Sequence, residues 1–292
     1  MIHKAPQPDL VDLHVHSTAS DGRYSPRDVV GHAKEVGLKA IALTDHDTVA
    51  GVPEALAAGE AFNVEVVPGT EISAEFEDGA CHILGYFIDH NDAPLGELLR
   101  EAREGRETRN EKILKRLNDL GLALSMDDMA CRVTGGTLTR AHFAAAMIEK
   151  GYVKTWDEAF DRYLGRGKPA FVHRRRVMPE EAIAAIRGAG GLAALAHPRQ
   201  LNCSVAETEE WIEHFAAAGL EAVETASPDH TANFAAHYRA IAERLGLLQT
   251  GGSDWHGRDD ADIHLGLGRG AMLVHYERVQ KMKDRLAARG ET

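Results

Sequence analysis

The chain has 292 residues, 44% of them hydrophobic and 27% charged, with a formal net charge of −12 at pH 7. That length suits one large core with elaborations, or two domains, and no run approaches the roughly 18 consecutive apolar residues of a membrane span. The negative balance excludes broad capture of long nucleic acid, which relies on Lys and Arg neutralising many phosphates, and leaves room for a small anion held by a few cations or metal ions.

The N-terminal stretch MIHKAPQPD lacks the apolar segment of a secretory signal, and Cys81, Cys131 and Cys203 are scattered, so a reducing cytoplasm is the expected location. LVDLHVH (10–16) reads as a short strand. SPRDVVGHAKEVG (25–37) reads as a helix with Ser25 as N-cap, Pro26 in its first turn and Gly37 as its stop. KAIALTDHD (39–47) is a branched apolar run of the kind buried on both faces of a parallel sheet. A helix, VPEALAAGEAF (52–62), precedes a third strand, VEVVPGTEISA (64–74), and SAEFEDGACHILGYF (73–87) reads as a hairpin turning at Asp78-Gly79.

From about Pro94 to Pro169 the character changes. A long charged amphipathic helix (95–121) is followed by helical patterns at 140–150 and 156–164. Alternation then resumes: helix 179–189, strand GLAALAH (191–197), helix 207–218, strand LEAVET (220–225), helix 230–245, strand LLQTGGSD (247–254), a late strand GAMLVH (270–275), and a last helix from Glu277. Strands alternating with helices imply right-handed parallel units. No Gly-rich dinucleotide turn follows the first strand, so an α/β barrel over 1–95 and 170–292, interrupted by a helical insertion over 96–169, suits the pattern better than an open doubly wound sheet.

Polar residues collect at one end of these strands. His14 and His16 end the first, with Asp21 in the loop beyond; His46 ends the second, Glu71 the third; His82 lies on the hairpin; His197 ends GLAALAH; Asp254 and His256 follow LLQTGGS. In a barrel this is the C-terminal face, where catalytic residues from several strands converge. Residues i and i+2 of a strand share a face, so His14 and His16 can grip one ion. Nine nitrogen and oxygen donors without a thiolate suit two or three divalent ions such as Mn, Fe or Zn.

Single residues leave other readings open. A lone His-x-His is as often a surface pair as a ligand pair, His82 alone reads as a half-buried strand histidine, and Asp45 or Asp47 suits the cap of the following helix, with Asp47 the favoured cap. His230 and His264 fit no single role, and HRRRV (173–177) reads as a solvated face. The metal reading rests on the shared position of the nine donors.

Those residues also carry a family resemblance. DLHVHSTASDG (12–22), ALTDHDT, PGTEIS, CHILGYF, LAHP and GSDWH, in this order, resemble the motifs of the PHP superfamily of polymerase and histidinol phosphatase domains. Within it the chain is most similar to small bacterial phosphoesterases acting on 3′,5′-nucleoside bisphosphates such as pAp, and to a related group that trims RNA 5′ ends. The resemblance implies a distorted (β/α)7 barrel and three divalent ions, commonly Mn, with Fe, Zn or Mg as alternatives. It implies that His14, His16, Glu71 and Asp254 cage one ion, that Glu71 bridges to another held by His82 and His197, and that Asp21, His46 and His256 serve the third. The implied catalysis is attack on phosphorus by metal-bound hydroxide, because divalent ions bring the pKa of water towards neutrality.

Substrate choice falls to the insertion. TLTRAHFAAAMI reads as a helix capped by Thr139 with Arg140 and His142 in its first turn, where a helix N-terminus and a guanidinium suit a phosphate; Lys168 and Arg132 are further cations for a second phosphate, and each also reads as a solvated charge. The expected activity is removal of the 3′-phosphate from a small nucleotide carrying two phosphates. Alternatives are 5′ to 3′ exonuclease action on short 5′-phosphorylated RNA, histidinol phosphate phosphatase activity, or a PHP domain that binds without catalysis. No membrane and no long nucleic acid are expected as partners.

Overall fold

In the computed structural model, residues 9–76, 79–130, 140–172, 177–258, 262–270 and 272–290 are described. The chain divides into two compact units, Met1–Leu99 with Val177–Thr292, and Arg100–Arg176.

The first unit is a barrel. Strand β1 (Val11–Val15) leads to helix α1 (Pro26–Val36), β2 (Ala40–Leu43), α2 (Val52–Phe62), β3 (Glu65–Phe76) and β4 (Gly79–Tyr86). In the second unit, helix α3 (Ala93–Asp119), which begins in the first, is followed by α4 (Met126–Ala130), α5 (Arg140–Glu149), α6 (Trp156–Ala159) and a π-helical turn, Phe160–Leu164. The barrel resumes with α7 (Pro179–Gly188), β5 (Leu192–Leu195), a 3-10 turn (Pro198–Leu201), α8 (Val205–Ala217), β6 (Ala222–Ala226), α9 (Ala232–Leu245), β7 (Leu248–Gly251) and α10 (Glu277–Arg289). The seven strands hydrogen-bond in sequence order, β1 to β7. β1, β2 and β3 are parallel, β4 runs antiparallel to both β3 and β5, and β5, β6 and β7 are parallel. The Val15–Trp255 bridge and a 3.0 Å bond from the His16 N–H to the Trp255 carbonyl bring the ring towards closure. The result is a distorted (β/α)7 barrel.

The start and stop of α1 follow from local chemistry. Ser25 accepts the Asp28 N–H, Pro26 needs no donor there, and Gly37 takes the left-handed φ of 81° that closes the helix. The late strand expected at 270–275 is not formed among the described residues. Leu10–His275 is an isolated antiparallel bridge, and the segment lies against β1 through the Val11 N–H to the Val274 carbonyl at 2.8 Å. The seventh strand is instead β4, the return arm of the hairpin; the proposed turn residue Asp78 lies outside the described residues, and Gly79 opens β4.

Two apolar layers show how the strands are aimed. Val11 and Leu13 pack with Ala40, Ala42, Val67, Leu84 and Ala194 in the barrel interior, closed by Val279, Met282 and Leu286 of α10. Val15 packs instead with Ile41, Leu43 and the α1 and α2 residues Val29, Val30, Ala55 and Ala58. Inward-facing parity therefore switches between Leu13 and Val15, where the β1–β2 register shifts. The irregularity turns the next even-numbered positions, His14 and His16, inward. The helical unit has its own core, with Ile113, Leu117, Met129, Phe143, Met147, Leu164 and Val172. Among the described residues no helix is long and apolar enough to cross a membrane.

Candidate metal centre

The polar ends of the barrel strands converge on one carboxylate, Glu71. Its Oε2 lies 3.1 Å from His14 Nε2, 3.2 Å from His16 Nε2 and 3.1 Å from His46 Nδ1. Its Oε1 lies 2.8 Å from His82 Nδ1 and 3.1 Å from His197 Nε2. Asp254 Oδ1 is 3.1 Å from His16 Nε2 and 3.5 Å from His14 Nε2. Beyond His16, Asp21 Oδ1 lies 3.5 Å from the ring's Nδ1, and Asp21 Oδ2 lies 3.0 Å from His256 Nε2 and 3.9 Å from His46 Nε2. Three sets have donor atoms all within 4.8 Å of one another: His14, His16, Glu71 and Asp254; His16, Asp21, His46 and His256; and His46, Glu71 and His82. The structure thus brings together all nine donors. His16, placed with the first ion by the resemblance, also borders the Asp21 set.

These contacts have the marks of a metal centre. His14 Nε2, both ring nitrogens of His16, His46 Nδ1 and Glu71 Oε2 are buried and make no hydrogen bond of acceptable geometry, although they lie close together. Ligands of one ion at 2.0–2.2 Å are separated by about 3.0–3.4 Å, the spacing seen here. The residues present therefore fit divalent cations. In their own field the imidazoles take the cation's place. Burial works against a charge on His16, but Asp254 and Glu71 outweigh it and raise the ring to about 10. Burial likewise opposes His14, and the charges of Glu71, Asp254 and Glu224 raise it well above the usual imidazole range. Burial, with the charges of His16 and His82, pulls His46 down to about 3 against its carboxylate neighbours, whereas the histidines hold Glu71 and Asp254 well below the carboxylate range despite burial.

Backbone strain accompanies the donors. His197 has φ 25° and Asp254 φ 54°, values unusual for residues with a side chain. Around them a ring of carboxylates aligns the backbone. Asp12 accepts from the N–H groups of Ser253 at 2.8 Å and Gly266 at 2.7 Å and from the Ser253 hydroxyl at 2.5 Å. Asp45 accepts the Ser17 N–H at 2.8 Å and the Ser17 and Ser20 hydroxyls, each at 2.7 Å. Asp47 does not cap α2, as its sequence position suggests. Its Oδ1 accepts the Ser73 N–H at 2.8 Å, while the α2 N-cap is Gly51. The tight turn after β2 (Asp47 φ 50°) points the side chain at β3 rather than along the helix.

Sequence reasoning missed three residues near the centre: Asp12, Glu224 and Arg258. Asp12 and Glu224 are fully buried acids in the apolar runs LVDLHVH and LEAVET, and an acid within such a run is the signal that was available. Arg258, just past GSDWH, has Nη2 3.8 Å from Asp21 Oδ2 and places a guanidinium at the centre. Of the residues expected to meet substrate, Arg140 sits within the helical unit, its Nη1 3.3 Å from the Leu164 carbonyl and its guanidinium over the Phe160 and Phe171 rings at 5.8 and 5.5 Å. His142 lies on α5 and Lys168 is exposed. Arg132, Thr139 and residues 173–176 lie outside the described residues. His230 is largely buried beside Tyr238, and His264 forms a short bridge with Gly268.

A seven-stranded barrel with a cluster of histidines and carboxylates fit for divalent cations defines the class of protein, and the family model agrees: the PHP domain matches residues 12–163. The chain belongs to the PHP domain family. It is 36% identical over 245 residues to a 5′-3′ exoribonuclease of Haemophilus influenzae, covering 84% of this chain and 89% of the relative. It is 34% identical over 247 residues to a 3′,5′-nucleoside bisphosphate phosphatase of Chromobacterium violaceum, covering 84% and 87%. Among solved structures, a Bifidobacterium adolescentis protein assigned as a metal-dependent phosphoesterase superposes with a TM-score of 0.72 at 30% identity, covering 96% of this chain and 97% of that one.

Proposed function

We propose that this protein is a metal-dependent phosphomonoesterase that removes the 3′-phosphate of 3′,5′-nucleoside bisphosphates, converting pAp to AMP. The observation that carries the reading is the convergence of buried, unbonded His and Glu donor atoms around Glu71. His14, His16, Asp21, His46, Glu71, His82, His197, Asp254 and His256 would hold three divalent ions, Mn by preference. Such ions, when bound, lower the pKa of water towards neutrality and neutralise charge on phosphoryl oxygens.

The chain's own groups do the rest. Glu71 joins the donor sets, Arg258 meets the charge of the scissile phosphate from the barrel, and Asp12 and Asp45 hold the loops that carry the donors. The hydroxyls of Ser17, Ser20 and Ser253 are committed to Asp45 and Asp12 and serve the loops rather than the reaction. The Cys81 thiol is buried and held protonated, pushed up to about 12 by burial and then by Glu180. We assign the second phosphate to Arg140 and His142, with Arg132 and Lys168 in support. A cytoplasmic location suits the free thiols of Cys81 and Cys203.

The test is phosphate release by Mn-loaded protein from pAp, AMP, histidinol phosphate and a 5′-phosphorylated RNA oligomer. The expected order puts pAp first. Preference for AMP or histidinol phosphate overturns the substrate assignment, preference for the oligomer favours the exonuclease reading that the Haemophilus relative's activity supports, and no turnover on any favours binding without catalysis.

A further inference from the structure

Glu224, in the middle of β6, is fully buried and touches two of the donors from different strands. Its Oε1 lies 3.2 Å from His14 Nδ1, and its Oε2 lies 2.7 Å from the backbone nitrogen of His197. An ionised carboxylate only accepts, so both contacts require an N–H pointing at it. With Nδ1–H held by Glu224, Nε2 is the nitrogen left to a bound cation, and it faces Glu71 Oε2 and Asp254 Oδ1 at 3.1 and 3.5 Å. The amide of His197 is held in its strained conformation, φ 25° and ψ 65°, from which the ring's Nε2 reaches Glu71 Oε1 at 3.1 Å.

We infer that Glu224 is a positioning residue for metal binding: one buried carboxylate sets the tautomer of His14 on β1 and the backbone of His197 after β5, and so turns both Nε2 atoms towards Glu71. The inference rests on the reading of His14 and His197 as metal ligands. A lone buried carboxylate is costly unless hydrogen-bonded; the charge of Arg278 acts on Glu224, but its hydrogen bonds go to other groups. Arg278 donates to Thr225 Oγ1 and to the Thr250 carbonyl, and the Tyr86 hydroxyl donates to the Leu13 carbonyl. The two donors' N–H groups are what Glu224 serves. Partners of this kind fix ring orientation, and their loss lowers metal affinity about 10–100-fold.

Glu224→Gln is the discriminating variant. Its amide keeps the shape and can accept from one N–H, but its NH2 then faces the other: either His14 must shift its proton to Nε2, or the His197 amide loses its acceptor. The expected result is a folded protein, by circular dichroism and metal-free melting, whose Zn2+ affinity in chelator competition falls about 10–100-fold. In wild type loaded with Zn2+ and 15N-labelled at histidine, the His14 Nδ1–H is expected to be exchange-protected and shifted downfield. Unchanged Zn2+ affinity in Glu224→Gln, or a proton on His14 Nε2 in the loaded wild type, overturns the inference. If the variant does not fold, the wild-type spectrum decides alone. His14→Ala separates the two readings: full metal content in that variant sinks the ligand assignment itself, whereas lost metal there with undiminished binding in Glu224→Gln sinks only the role of Glu224.

Discussion

A β-carbon added at Gly252 would lie 2.3 Å from the Cβ of His14 and 2.4 Å from its backbone nitrogen. The end of β7 is thus packed directly on the strand that carries the first donor pair. Because the obstacle is backbone, Gly252→Ala must push β1 aside, at about 1–3 kcal/mol for overpacking. The variant is expected to melt several degrees lower and to retain less bound metal than wild type. Gly96→Ala, on α3 with nothing within 4 Å of the added carbon, serves as a control expected to be neutral or slightly stabilising. Thermal melting with metal analysis checks both, and normal metal content in Gly252→Ala would refute the close approach.

Glu71 touches five histidines, so its loss acts on every donor set it joins. Glu71→Gln keeps the volume and removes the charge. Loss of a residue beside a ligand already lowers affinity 10–100-fold, so removal of the shared carboxylate is expected to cost about 100-fold or more in metal affinity and to end turnover. Calorimetric titration of chelator-stripped protein with Mn2+ measures it. Stripping the wild type should lower Tm, and Mn2+ at about 100 times its Kd should restore about 2.7 kcal/mol.

Arg140→Ala separates packing from recognition. Loss of its bond to the Leu164 carbonyl and of its contact with Phe160 and Phe171 predicts a destabilisation of about 1–2 kcal/mol. Loss of a phosphate contact predicts in addition a raised KM for pAp with little change for a monophosphate. Equal effects on the two substrates would leave Arg140 with its packing role alone.

Cys81 predicts a pH dependence above neutrality. Its folded thiol is pushed up to about 12 by burial, then by Glu180, against roughly 8.5 in an unfolded chain. Below the unfolded value both forms hold the proton, and the thiol contributes no pH dependence. As pH rises past it, only the unfolded thiol ionises, and stability falls by up to about 1.4 kcal/mol per pH unit until the folded thiol also ionises. Urea melts at pH 8 and pH 10 should show a steeper loss in wild type than in Cys81→Ala. Iodoacetamide should modify Cys81 at pH 8 only after unfolding.

Much of the barrel was legible in local pattern. The Ser25, Pro26 and Gly37 punctuation of α1 and the branched run of β2 are short-range signals, and each formed where expected. The segment 270–275 reads as a strand because an apolar run that meets β1 through a single bridge, Leu10–His275, looks the same in sequence as one with a full ladder. β4 counted as a barrel strand only once its antiparallel pairing with β5 was known.

By itself the amino-acid sequence determined which chemistry this protein carries, because nine nitrogen and oxygen donors, none of them a thiolate, fall at the ends of successive strands and match the PHP motifs in order. Only the tertiary structure decided how those donors meet. The register shift in β1 turns His14 and His16 inward against the parity of Val11 and Leu13, and the fold sets Glu71 between five rings and brings Glu224 from a distant strand to His14. Side-chain direction at a bulge, and contact between residues far apart in the chain, depend on strand pairing and closure, which no local pattern encodes.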